Sequence, residues 1–231
     1  MPPKKIKDTR LTYNHIKEGT TDRVQGHLTW KKERDLPINI LLTPELRQQL
    51  LDKIHTQPPA GVLGYDASVG SSGWCYSATY GKYAVGDFGN SYEGTYRLSW
   101  VIKAIQDLLL RFMPTKIYLE DYSLGSKFPA YVVWELGGMI RILFQEYIDL
   151  VNNAMGEHIV SLTKITPKEL KKFITDKGVA DKDIMMLELL NRFKTYVPHK
   201  DQADATGLCI MGLKNYTPAP VVKKVRKPKD V

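Results

Sequence analysis

The sequence predicts a mixed α/β domain, one sheet with helices packed on its faces. Three observations carry this. Residues 61–66, 73–80 and 82–88 read as three short strands divided by Gly-rich turns, the pattern of a meander. From residue 92 onward, helical and strand periodicities alternate, which adds further strands through helical connections. The chain has 231 residues, 43% hydrophobic and 10% aromatic, enough to build a full core.

The elements follow in order. Residues 1–27 are polar and aperiodic and read as an arm. Leu36 to Leu42 is a short apolar run. Thr43-Pro44-Glu45 is a helix start, with Thr as N-cap, Pro at the first helical position and an acid in the first turn. Leu46, Leu50, Leu51 and Ile54 share one face of that helix, and Gln57-Pro58-Pro59 ends it. After the meander, Leu98, Val101, Ile102, Ile105, Leu108, Leu109 and Phe112 make the apolar face of a helix that Pro114 stops. Lys116 to Leu119 is a fourth strand. Residues 129–151 form a long helix with two apolar stripes, the second being Val132, Met139, Ile142 and Leu143. A helix apolar on two sides needs two partners. His158 to Leu162 reads as a fifth strand, and Thr166-Pro167-Lys168-Glu169 as another capped helix start. Two more helices are expected at 183–193 and 201–213, before a Pro- and Lys-rich tail.

Charge is unevenly spread. Residues 1–59 hold 11 Lys/Arg against 7 Asp/Glu, and residues 212–231 hold 6 against 1, whereas the middle holds 16 against 17. Basic ends around a near-neutral centre fit a polyanionic partner, nucleic acid being the commonest. No apolar run reaches the roughly 18 residues of a membrane span, so no membrane association is expected. The two cysteines, Cys75 and Cys209, lie outside any metal-binding spacing and suit small core residues in an intracellular, reducing compartment.

Four acids stand where chemistry can use them. Asp66 closes the first strand, after the apolar Val62, Leu63 and Tyr65. Glu120 closes the fourth. Asp201 and Asp204 share a face at the start of the last helix. If strands one and four are neighbours, Asp66 and Glu120 meet at one sheet edge, and a helix across that edge brings the other two. Four clustered carboxylates repel one another, and divalent metals relieve the repulsion. Simpler roles compete: Asp201 as a helix cap, Asp204 paired with Lys200, Glu120 as a loop acid with Asp121 a rival ligand. His199 has access to the same region and is otherwise an exposed loop histidine.

These residues resemble the RuvC-like Holliday junction resolvases, of the RNase H-like fold. Gly64-Tyr65-Asp66-Ala67-Ser68 through Gly73-Trp74 is similar to the family's opening strand and turn, and Leu119-Glu120 to its second acid. Leu136-Gly137-Gly138-Met139-Ile140-Arg141 resembles its long helix. Thr166-Pro167-Lys168-Glu169-Leu170-Lys171-Lys172 and Ala180-Asp181-Lys182 resemble its basic DNA-contacting segment, and Asp201-Gln202-Ala203-Asp204-Ala205 its closing acid pair. The resemblance implies an RNase H-like mixed five-stranded sheet with helices on both faces. It implies a metal-dependent endonuclease that resolves four-way junctions by two-metal-ion hydrolysis, with Mg²⁺ as cofactor and Mn²⁺ able to substitute. Asp66, Glu120, Asp201 and Asp204 would then be catalytic and metal-binding, and Lys171, Lys172 and Lys182 would bind DNA. The expected assembly is a homodimer through helix 129–151. Residues 60–213 would be the nuclease domain, with 1–59 a basic extension and 214–231 a flexible basic tail. The extension and tail depart from the compact bacterial enzymes and leave room for broader branched substrates. An RNase H-type enzyme on RNA/DNA hybrids and a non-catalytic DNA-binding module are the alternatives.

Overall fold

The computed structural model describes residues 41–89, 94–121 and 129–218. The arm at 1–27 and the tail beyond residue 218 lie outside them. The chain divides into Met1–Ile38 and Asn39–Val231, and the second unit holds every element described. Its order is α1 (Pro44–Thr56), β1 (Val62–Asp66), β2 (Ser71–Thr79), β3 (Lys82–Gly89), α2 (Gly94–Phe112), β4 (Lys116–Glu120), α3 (Ala130–Met155), β5 (Ser161–Ile165), α4 (Pro167–Thr175), α5 (Lys182–Phe193) and α6 (Asp201–Leu213).

The five strands form one sheet in the order β3-β2-β1-β4-β5. The β1–β2 and β2–β3 pairs are antiparallel, and β1–β4 and β4–β5 are parallel. This is a mixed five-stranded sheet, as expected from the sequence. Residue alternation divides its two faces. Leu63, Tyr65, Ile117 and Leu119 point into a core shared with α1, α2 and α3. Val62, Cys75, Tyr118 and Ile165 point into a second core with α4, α5 and α6. Helices therefore cover both faces, which is what parallel strands require.

Local chemistry sets the element ends. The Thr43 hydroxyl accepts from the Leu46 N–H at the start of α1. Thr166 and Glu169 form a reciprocal capping box on α4, and Asp181 caps α5. Two boundaries differ most from the sequence reading: α3 continues to Met155, past the expected end at residue 151, and the fifth strand starts later. The fifth strand is Ser161–Ile165, not 158–162. The Asn152 side chain accepts from the N–H groups of Ile159 and Val160 and donates to the Val160 carbonyl, so these backbone groups are bonded to the end of α3 and not to a strand. Pairing begins only at Ser161, opposite Lys116.

Helix α1 is built into the first core through Leu50 and Ile54, and the preceding Leu42 is buried there too. The buried Glu146 of α3 accepts from the N–H groups of Leu41 and Leu42, at 3.0 and 2.6 Å. Helix α3 presents a different outer stripe from the expected one. Leu143 is fully buried, and Val132 and Met139 pack on the core. Tyr131 and Trp134 are instead exposed, and the open side of Gly138 meets nothing within 4 Å. Spacings of three and four residues put these three on one face. Among the described residues, no helix is long and apolar enough to cross a membrane. Cys75 and Cys209 are both free and buried.

Candidate metal centre

Strand β1 lies mid-sheet and all five of its residues are buried, so Asp66 arrives at the sheet edge already desolvated. The parallel partner β4 pairs Leu119 with Tyr65, which sets Glu120 level with Asp66 at the same C-terminal edge. Helix α6 closes the site from the second face. Eleven consecutive residues of it, Gln202 to Gly212, are buried. It lies against the strands because β1 and β2 lack side chains beneath it. A Cβ on Gly64 would strike the backbone of Ala205 and Cys209, and one on Gly73 the carbonyl of Asp201.

This docking brings Asp204 to Asp66 and Glu120, with one carboxylate oxygen of each within 4.8 Å of the others. Opposite oxygens in a Mg²⁺ coordination sphere are about 4 Å apart, so little movement is needed to close on an ion. One Asp204 oxygen, Oδ1, is buried without a hydrogen-bond partner. A bare buried carboxylate oxygen is costly, and a bound cation would satisfy it. The donor set is all oxygen, as a hard divalent ion prefers. On each of these counts the residues fit a divalent metal.

The electrostatics agree. Burial pushes the Asp66 carboxyl up to about 6; the charges of Asp204 and Asp201 add to the rise, while a hydrogen bond from Glu120 and the Lys182 charge oppose it. Burial, and then the Asp66 charge, hold Glu120 well above the usual carboxylate range. In the Asp66–Glu120 hydrogen bond, Glu120 is thus the protonated partner. Burial also raises Asp204, with Lys182 and Lys171 pulling the other way.

The remaining predicted residues separate. Asp201 is in the first turn of α6, half exposed and outside the three-acid cluster. Lys200 does not pair with Asp204; it pairs with Asp183 at 2.8 Å. His199 and Asp121 are not in the cluster. Lys182, expected on DNA, sits among the acids: its Nζ is 3.0 Å from Asp201, 3.7 Å from Asp204 and 4.0 Å from Asp66. Burial works against this ammonium, but the hydrogen bond to Asp201 and the neighbouring charges more than offset it, and its pKa is raised. Its position follows from Asp181, which caps α5 and points the first turn at the site. Lys171 is near enough to act on Asp204. Lys172 lines a separate groove with Phe173, Arg192, Lys214 and Tyr216. Sequence reasoning missed Gln202, whose amide donates to Asp87 of β3 at 2.7 Å and ties the acid-bearing helix to the sheet edge. It also missed that Gly64 and Gly73 are what admit α6.

No family model matches the chain. Among known proteins, it is 26% identical over 168 residues to the crossover junction endodeoxyribonuclease RuvC of Rickettsia conorii, a match covering 67% of this chain and 99% of that one. RuvC of Rickettsia bellii matches over the same length at the same identity. Over this length the chain resembles RuvC. The similarity runs over essentially the whole of these relatives, with the remainder of the chain falling outside it. Solved structures include Thermus thermophilus RuvC in complex with a Holliday junction substrate, with 18% identity, a TM-score of 0.49, and 67% of this chain and 97% of that one covered. The yeast mitochondrial Holliday junction resolvase matches with 14% identity and a TM-score of 0.46, covering 75% and 90%.

Proposed function

We propose that this RuvC-like chain is a divalent-metal-dependent endonuclease that cuts branched DNA, with four-way junctions as its main substrate. The observation that carries this reading is the convergence of Asp66, Glu120 and Asp204 at the C-terminal edge of β1 and β4. The named activity of the Rickettsia relatives, crossover junction endodeoxyribonuclease, supports the choice of substrate.

Asp66, Glu120 and Asp204 would hold the ion, Mg²⁺ by preference with Mn²⁺ as a substitute, and Asp201 adds the carboxylate for a second one. When bound, such ions activate water and stabilise the leaving oxygen of an in-line displacement. The protein's own part is to fix the acids. Strand register sets Asp66 and Glu120, and the buried α6 sets Asp204. The Glu120 proton must leave before the full acid set can act as ligands, so activity rises with pH. Lys182 holds Asp201 and Asp204 in place and lowers the charge the site carries before loading. Lys171 and Lys172 are assigned to phosphate contacts, and residues 60–213 to the nuclease domain. The basic segments 1–59 and 214–231 add attraction for DNA.

A four-way junction offers two equivalent strands, and a two-fold dimer offers two sites. The exposed Tyr131, Trp134 and Gly138 face of α3 is the surface assigned to that dimer. Sedimentation equilibrium at micromolar concentration tests it, and a monomer that persists with junction DNA bound refutes it. The activity is tested on a junction, a flap, an RNA/DNA hybrid and a linear duplex, each with Mg²⁺, Mn²⁺ or EDTA. Metal-dependent cutting of the junction is expected. Cutting confined to the hybrid would instead indicate an RNase H-type enzyme, and binding without cutting a non-catalytic module.

A further inference from the structure

On the sheet face away from the acids, at the β3 edge, a groove of about 450 Å³ runs between the strands and α2. Its walls are aromatic. Trp74 and Phe88 stack with centroids 6.4 Å apart and planes inclined by 29°, and Trp100 meets Phe88 edge-on at 5.6 Å. Its floor depends on a missing side chain, since a Cβ on Gly86 would lie 2.6 Å from the Trp74 indole. Gly86 lets the indole lie flat over β3. None of the three rings is fully buried. Along the α2 rim, Lys103, Asp107 and Arg111 recur every four residues and line the groove. Among the described residues, Lys103 and Asp107 make no ion pair, and Arg111 lies over the Phe112 ring at 5.4 Å.

A flat aromatic slot with a rim of two cations and one acid suits a planar ring joined to an anion. An apolar peptide would use the rings and leave the cations without counter-charge. We propose that this groove is a stacking slot for an unpaired base of a DNA strand, with Lys103 and Arg111 on the flanking phosphates. Indole faces stack on any base, so the slot would be tolerant of sequence. Trp74 of β2 pairs with Tyr65 and the adjacent Gly73 with Asp66, so the slot is one strand from the acids and a DNA strand leaving them would reach it by passing round the β3 edge. The choice of DNA rests on the nuclease reading above; the slot itself does not.

The test uses the full chain and a twelve-residue oligo(dT) in EDTA, following tryptophan fluorescence and anisotropy. Stacking predicts quenching on binding. Trp100→Phe keeps a ring and should keep affinity within about twofold while losing part of the quench. Trp100→Ala should bind about tenfold or more weakly. Lys103→Ala/Arg111→Ala removes two exposed cations and should make the salt dependence shallower by about two units of slope. This double variant keeps the test open should Trp100→Ala fail to fold. Wild-type binding without a change in fluorescence, or an unchanged salt slope in the double variant, overturns the proposal. Junction cleavage with Mg²⁺ is run in parallel. Cleavage without a tryptophan response sinks the slot alone, and oligo(dT) quenching without junction cleavage sinks the nuclease reading alone.

Discussion

Replacing Asp66 by Asn should abolish cutting and, in the same stroke, stabilise the metal-free protein. Asp66 is 7% exposed, and its carboxyl is raised from 3.8 to about 6, chiefly by burial. A group whose pKa is higher folded than unfolded binds its proton more tightly in the native state. Its favourable contribution is therefore complete below about pH 4 and is lost as pH rises through about 6. The shift of about two units corresponds to about 3 kcal/mol at pH 8. Asn carries no charge to bury and its amide oxygen can still accept from the protonated Glu120, but Lys182 loses a charged neighbour 4.0 Å away. The expected net gain is about 2–3 kcal/mol, or roughly 5–10 °C in Tm for a unit of this size. Calorimetry in EDTA at pH 8 reads this directly, and the difference should shrink toward zero at pH 4. Adding Mg²⁺ at pH 8 should raise the wild-type Tm and leave Asp66→Asn nearly unmoved. A variant that melts at or below the wild type in EDTA at pH 8 would refute the claim that the site is strained by its own charge. Undiminished cutting would remove Asp66 from the chemistry.

Three further outcomes are expected. Lys182→Gln takes away the cation that restrains Asp66 and Asp204, so the pH profile of cleavage should move to higher pH, whereas loss of a simple phosphate contact would leave it in place. Gly64→Ala forces α6 off the sheet against backbone that cannot yield; it should lower stability by about 1–3 kcal/mol and suppress cleavage even at saturating metal, measured by denaturant melts and gel assay. Glu146→Ala leaves the Leu41 and Leu42 N–H groups without their buried acceptor and should cost about 2–4 kcal/mol, with hydrogen exchange rising first in Leu41–Thr56.

The sequence made the element order and the two parallel-strand acids readable, because both follow from short-range pattern. Pro44 and Pro167 mark their helix starts within the chain's own syntax, and Asp66 and Glu120 each end an apolar run. What the sequence hid depends on contacts between distant segments. The start of β5 is set by Asn152, a residue of the preceding helix that looks like any polar end-of-helix residue. The outer stripe of α3 differs from the expected one because Leu143, Val132 and Met139 are apolar whichever partner they meet, and the first core draws them inward. Lys182 reads as one more basic residue in a basic stretch. Only the crossing of α5 and α6 turns it toward three carboxylates.

The tight seating of α6 bears on how such sites persist through sequence drift. The helix that carries Asp204 is also the most deeply buried segment of the second core, wedged between the strands and α4. Its neighbours Ala203, Ala205 and Gly207 are small where it meets them: a Cβ at Gly207 would meet Leu170 and Ile174 of α4. A lineage that keeps the acids must therefore also keep small residues beside them, together with glycines at 64 and 73, or the carboxylates lose their common position. In remote sequences this pairing of acids with absent side chains is a more discriminating signature than the acids alone, since aspartate is common and a matched set of gaps on two strands and a helix is not.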